Sequence, residues 1–406
     1  MADDPKPVVI VLFGVSGDLA GRKVLPALYH LLKDDLLPAK SRIIGTTRQK
    51  LSKEDPLKNV ELCVLDTDKV CDPEVLKKFN KVFEVLQFDP VKEEDYQSLK
   101  EHLAKLEKEA GACFNRLFYL SIPPQVYSPI VRLLGKNGLS GSCEHKVAKS
   151  RLLVEKPFGY DLKSAKELIK QTDKYFKEDQ VFRIDHYLAK ETAQNILTFR
   201  RHNPLFNDIW NNRLISRIYV RAMESIGIEG RANFYDNVGA LRDIIQSHLL
   251  QLMAISTMDL PDDINSSEEI HAQKINLLNK TDLEKINRAS LVRGQYETYK
   301  EEVNKSKTTT ETYVRLTLGI KNKRWQGVPV VLETGKALSV KTTDVTIDFS
   351  EPGDQDCNQL RIRIQPDEGI DIKLFVKKPG FDNQMQPAVM DFSYGRSFGD
   401  QAHPDA

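Results

Sequence analysis

Cysteine is scarce in this chain: 406 residues contain five, at positions 63, 71, 113, 143 and 357. The count is odd and no pair has C-x-x-C spacing. Neither a disulfide framework nor a zinc ribbon is indicated, and reduced thiols are expected. Net charge is nearly absent too, at +1 from 59 basic and 58 acidic side chains. No field of one sign draws the whole molecule to nucleic acid or a membrane surface, so an anionic ligand needs a local cluster of cations. Long apolar runs are missing, and the longest, such as "VVIVLF", have the length of a strand. The N-terminal "MADDPKP" is acidic and lacks the basic-then-apolar order of a signal peptide. No group of His, Cys, Asp and Glu has metal-ligand spacing, so no metal is expected. Repeats, low-complexity tracts and long linkers are also lacking. A cytoplasmic protein acting on a small molecule fits these absences.

The length suits two domains. Val8 to Phe13 is continuous, β-branched and apolar, as expected of a strand buried on both faces of a parallel sheet. "GVSGDLAGRK" follows, then "VLPALYHLLKDDLLP" with apolar residues at helical spacing. "RIIGTTRQK", "NRLFYLSIPP" and "KSRLLVEKPFG" read as further strands, with helices between and after them, the last N-capped by Asp161. This alternation predicts an α/β Rossmann domain over 1–185. Beyond it, "LISRIYVRAMES", "TYVRLTLGIK", "VPVVLETGK", "TDVTIDFS" and "NQLRIRIQP" alternate with period two. A larger α+β domain on a mostly antiparallel sheet is expected over 186–406. "NVGALRDIIQSHLLQLMAIS" reads as helix within it, and 261–310 as a polar surface segment.

The first turn suits a nucleotide. Gly14 permits a tight turn, Gly17 lets backbone approach a pyrophosphate, and the small Ala20–Gly21 pair permits helix–strand packing. A helix N-terminus there faces the phosphates. The second strand ends in "GTTRQK", which holds Arg48 and Lys50 and no carboxylate. A guanidinium at that place favours the 2′-phosphate of NADP, without excluding NAD.

Four separated stretches, "GVSGDLAGRK", "VEKPFGYDL", "RIDHYLAKE" and "VGALRDIIQSHLLQ", resemble the signature segments of the glucose 6-phosphate dehydrogenase family. "RWQGVPVVLETGKAL" and "LRIRIQP" extend the likeness, in the expected order, to near the end of the chain. The resemblance implies NADP-dependent oxidation of glucose 6-phosphate to its lactone, without metal, by a dimer or tetramer. It implies that His248 is the base and Asp185 its carboxylate partner. His186, Tyr187 and Lys190 would hold the sugar phosphate, and Lys156 would reach substrate and cofactor. Glu224 and Asp243 would bind sugar hydroxyls, and Lys336 would close the site, with Lys341 and Gln365 as further candidates. Gly14, Val15, Ser16, Gly17, Asp18, Leu19, Ala20, Gly21, Lys23, Arg48 and Tyr127 would contact the cofactor.

Elementary chemistry agrees with several of these roles. A phosphate monoester needs converging donors. If a helix begins near Asp185, His186 and Lys190 share one of its faces and its N–H groups add to the attraction. A histidine with an unperturbed pKa near ~6.5 suits removal of a hydroxyl proton, and a carboxylate on the far ring nitrogen fixes the tautomer. Each residue also has a plainer explanation. His186 and Lys190 can be charges at a solvated helix start, Lys156 a charge at a strand end, and His248 a core histidine in "HLLQL". Asp243, five residues before His248, falls somewhat round an α-helix from it.

The chain departs from the family in places. Ala189 stands where glycine is usual and Gly21 where a basic residue is usual. Thr342 and Asp371 replace the Lys and Tyr that hold a second, structural NADP in some eukaryotic members. Family members continue for several dozen residues beyond "GDQAHPDA". Two rival functions stay in view: another Rossmann sugar dehydrogenase sharing "EKP", and a non-catalytic phosphosugar- or NADPH-binding protein.

Overall fold

In a computed structural model, the described residues are 6–58, 60–61, 71–141, 148–159, 161–282, 289–349 and 357–399. They form two compact units, 1–184 and 185–406.

The first unit is built on a six-stranded parallel sheet of order β3-β2-β1-β4-β5-β6. Its strands are β1 (Val8–Phe13), β2 (Arg42–Thr47), β3 (Phe83–Gln87), β4 (Asn115–Leu120), β5 (Ser150–Val154) and β6 (Val181–Arg183). The unbroken apolar run of β1 serves both faces. Val9, Val11 and Phe13 enter one core cluster, while Ile10 and Leu12 enter the other. Helices Leu25–Lys33, Pro73–Val82, Glu93–Ala110, Tyr127–Lys136 and Leu162–Thr172 connect the strands. Asp161 does cap the last of these, accepting from the Ser164 amide at 2.8 Å. Strand order reverses between β1 and β4, which leaves a crevice at the carboxyl ends of the strands.

The second unit carries a nine-stranded sheet of order β15-β14-β13-β12-β7-β11-β10-β8, with β9 pairing β10. The strands are β7 (Ile215–Met223), β8 (Thr281–Asp282), β9 (Leu291–Gly294), β10 (Tyr313–Ile320), β11 (Val330–Gly335), β12 (Thr342–Phe349), β13 (Asn358–Gln365), β14 (Gly369–Lys377) and β15 (Met385–Ser393). Every pairing is antiparallel except β7 with β11. Period-two alternation puts Ile218, Val220 and Ala222 of β7, Val345 and Ile347 of β12, and Leu360 and Ile362 of β13 into one core. Helices Glu191–His202 and Leu250–Thr257 pack into the same core. The other face is polar: Asp344, fully buried, joins Arg221 and Arg361, each at 2.9 Å.

Two expectations fail here, and one region goes beyond them. No helix begins near Asp185. Residues 186–189 form a turn, in which the Asp185 carbonyl accepts from Leu188 and Ala189, and the helix starts at Glu191. His186 and Lys190 therefore do not share a helix face. Cys113 is disulfide-bonded, contrary to the expected reduced thiols, whereas Cys71 and Cys357 are free. Spacing along the chain detects only local pairs and misses cysteines that folding brings together. Strands β14 and β15 lie beyond the last strand anticipated. β15 is largely exposed on both faces and carries Pro387, so its burial contrast is weak.

Candidate functional site

In the second unit, Asp185 sits just ahead of the 186–189 turn. Its Oδ1 accepts from the Tyr187 amide at 3.1 Å and lies 2.7 Å from His248 Nδ1. Both side chains are almost enclosed, at 8% and 6% exposure. An ionised carboxylate only accepts, so His248 Nδ1 is the donor of this pair and Nε2 lies on the far side of the ring from Asp185. The His248 ring packs against Tyr187 at 4.3 Å and His186 at 4.6 Å between ring centres. Tyr187 is buried, and nearby Thr343 accepts from Gln365 Nε2 at 3.0 Å. Burial drives the Tyr187 phenol well above its ordinary pKa, with the carboxylates of Glu224, Asp243 and Asp185 adding to the effect.

His248 lies on the helical stretch Leu241–Leu249, which is wound as a π-helix, with the Leu250 amide reaching back to the Ile245 carbonyl. Residues five apart are stacked in such a helix, so Asp243 and His248 stand on one side, not round from each other as an α-helix would have them. Burial raises the pKa of Asp243, opposed by Lys336, Arg231 and His248. Glu224 and Lys336 directly follow β7 and β11, and the parallel pairing of Met223 with Gly335 brings them together. Lys336 Nζ bonds Glu224 Oε2 and sits 5.5 Å over the Tyr235 ring. Lys190 is half-buried directly before its helix, Gln365 is half-buried, and Lys341 is exposed.

The ligating atoms of Asp185, His186 and His248 lie within 4.8 Å of one another, which makes them a group able to hold a metal ion. Sequence spacing gave no hint of it, because the turn and the distant helix meet only in the fold. Thr343 also escaped notice, since a threonine in a strand carries no chemical signal. Tyr235 likewise reads as ordinary core.

In the first unit, a cleft of about 240 Å³ opens where strand order reverses. It is lined by Gly14, Ser16, Gly17, Arg48 and Ser121, among others, and no carboxylate is in the lining. Gly14 has φ +86°, and a Cβ there would come within 2.7 Å of the Ser121 carbonyl oxygen. That is a cradle only glycine forms, and it fits a pyrophosphate. Ala20 and Gly21 are buried under the turn; Asp18, Leu19 and Lys23 are exposed. Tyr127 is not brought to this cleft: it is buried, and its hydroxyl donates to the Glu155 carbonyl at 3.1 Å. Lys156 follows β5, half-buried, and precedes Pro157 through a cis peptide bond.

Comparison with known proteins adds to this geometry. The family described as "Glucose-6-phosphate dehydrogenase, NAD binding domain" matches residues 11–195, and its "C-terminal domain" matches 197–406. The glucose-6-phosphate 1-dehydrogenase of Chlamydia pneumoniae is 38% identical over 97% of this chain and 81% of its own length. "Glucose-6-phosphate 1-dehydrogenase 5, cytoplasmic" of Arabidopsis thaliana is 36% identical over 98% of this chain and 78% of its own. Among solved structures, a glucose-6-phosphate dehydrogenase in complex with its substrate glucose-6-phosphate is 32% identical. It superposes with a TM-score of 0.90, covering 100% of this chain and 85% of that one.

Proposed function

Because the chain belongs to the glucose-6-phosphate dehydrogenase family, we propose that it oxidises glucose 6-phosphate to 6-phosphoglucono-1,5-lactone with NADP. The observation that carries this is the Asp185–His248 pair, a base with its tautomer fixed, beside donors suited to a sugar phosphate.

His248 Nε2 takes the proton from the C1 hydroxyl, and Asp185 stabilises the resulting imidazolium. His186 and Lys190 bind the phosphate. Tyr187 supplies a hydroxyl at the same end and, through its ring, a wall for His248. Glu224, Asp243 and Lys336 bind sugar hydroxyls, flanked by Lys341 and Gln365. The nicotinamide cofactor, when bound, accepts the hydride leaving C1. Gly14, Val15, Ser16 and Gly17 receive its pyrophosphate with Asp18, Leu19, Ala20 and Gly21 behind them, Lys23 at the rim and Lys156 at the strand end. Arg48 in a cleft lining free of carboxylates supports NADP over NAD.

The test is direct. Protein, glucose 6-phosphate and NADP are mixed, and NADPH absorbance is followed. Formation that requires both compounds is expected. Equal rates with unphosphorylated glucose, or ligand binding without NADPH, would replace this function with one of its rivals.

A further inference from the structure

Glu155 has no part in the chemistry above, yet it is held from two sides. Tyr119 of β4 donates its hydroxyl to Glu155 Oε1 at 2.5 Å. Tyr127, at the start of the following helix, donates to the Glu155 main-chain carbonyl at 3.1 Å and to that of Leu120 at 3.4 Å. On β5, Leu152 and Val154 enter one core cluster. Alternation therefore puts Glu155 on the opposite face, where Leu117 and Tyr119 pack. An apolar side chain would satisfy the packing there, and a partly buried carboxylate is costly unless its charge is used.

The next residue is Lys156, which meets the cofactor in the function proposed above. We propose that Glu155, fixed by Tyr119 and Tyr127, is a positioning residue that sets the place and the charge of the Lys156 ammonium. The two tyrosines hold both the side chain and the backbone, so the strand end cannot swing, and the carboxylate charge acts on the amine of the adjoining residue. The groups facing Glu155 are Tyr119, Lys156 and Tyr127. Burial raises the Glu155 carboxyl, while the Tyr119 hydrogen bond and the Lys156 charge oppose that rise.

This inference rests on the proposed function, so its first test needs no turnover. The protein is labelled with acetic anhydride at fixed pH, and acetylation of each lysine is mapped by mass spectrometry. Without the neighbouring anion the Lys156 ammonium loses its proton more readily. In Glu155→Gln, Lys156 is expected to react about three- to tenfold faster while other lysines keep their rates. In Tyr119→Phe, the KM for NADP is expected to rise about three- to tenfold. The acid limb of kcat/KM also moves to higher pH, because the carboxyl loses the bond that opposed burial. An unchanged Lys156 labelling rate in Glu155→Gln overturns the proposal, whether or not the enzyme turns over. So does a Tyr119→Phe enzyme of altered KM whose pH profile matches the parent. A parent that makes no NADPH while Lys156 labelling responds would defeat the proposed function and leave the pairing intact.

Discussion

His248 and Asp243 occupy one side of the same helix, yet their substitution should be read in different quantities, turnover for the first and stability for the second. With the proposed base removed, His248→Asn should lower kcat by about 10²- to 10⁴-fold and change KM little. Lys190→Ala should chiefly raise KM for the sugar phosphate, and steady-state kinetics on both variants checks the pair. Asp243 is a carboxylate whose pKa is raised in the fold by burial. The folded state then binds its proton more tightly than the unfolded chain, so stability falls as pH rises from about 3.9 through the folded value. Asp243→Asn should accordingly raise the urea midpoint at pH 7 while reducing kcat/KM. An unchanged or lower midpoint would show that the desolvated charge is fully compensated. The pairing of His248 with Asp185 was legible only through the likeness to a known family, since spacing along the chain does not distinguish a paired histidine from one packed in the core. The alignment of Asp243 with His248 was not, because nothing in "LRDIIQSHL" announces a π-helical winding. The turn at 186–189 was equally hidden: the apolar spacing of a helix start and of a turn before one look alike.

At the level of elements, the stretch from Leu241 to Thr257 carries the base, and both of its ends are tied. At its start, Glu311 Oε1 accepts from the Leu241 amide at 3.1 Å. Gly239, with φ +71°, lies two residues before it, and a Cβ there would meet the Glu311 carboxylate at 2.6 Å. At its finish the last carbonyls are taken one by one. Arg200 donates to Ile255 at 2.7 Å and Met258 at 2.6 Å. The indole of Trp210 donates to Ser256 at 2.8 Å and that of Trp325 to Thr257 at 2.7 Å. These are carbonyls a helix leaves orphaned, and here they are buried. Burial lowers the Arg200 pKa to about 9, with the nearby Arg324 charge adding to it. Arg200→Ala should cost about 3 kcal/mol, read as a lower urea midpoint. Gly239→Ala combines a strained left-handed backbone with a clash at the cap. It should cost about 1–3 kcal/mol and lower kcat as the base shifts; full activity at parental stability would show that the cap yields freely. No sequence pattern exposes such tertiary caps, since Arg200 lies far along the chain from the carbonyls it holds.

Across the whole molecule, the two units should answer to different ligands. A ligand at one hundred times its dissociation constant stabilises the unit that holds it by about 2.7 kcal/mol. Calorimetry should resolve two transitions, one raised by NADP and the other by glucose 6-phosphate. A single transition raised equally by each would mean that the units unfold together. The division into an α/β half and a half of period-two strands was readable because burial on two faces and on one leave different patterns, as β1 and β7 show. The outer strands were less readable, since β15 exposes Met385, Val389 and Met390 and offers little contrast.

Both tryptophans of the chain, Trp210 and Trp325, belong to the second unit, and each spends its N–H on the end of the same helix. Indole emission, excited where tyrosine is transparent, is therefore silent about the nucleotide-binding half. A refolding trace followed by that glow would chart only the moment when the rod bearing His248 finds its final seat.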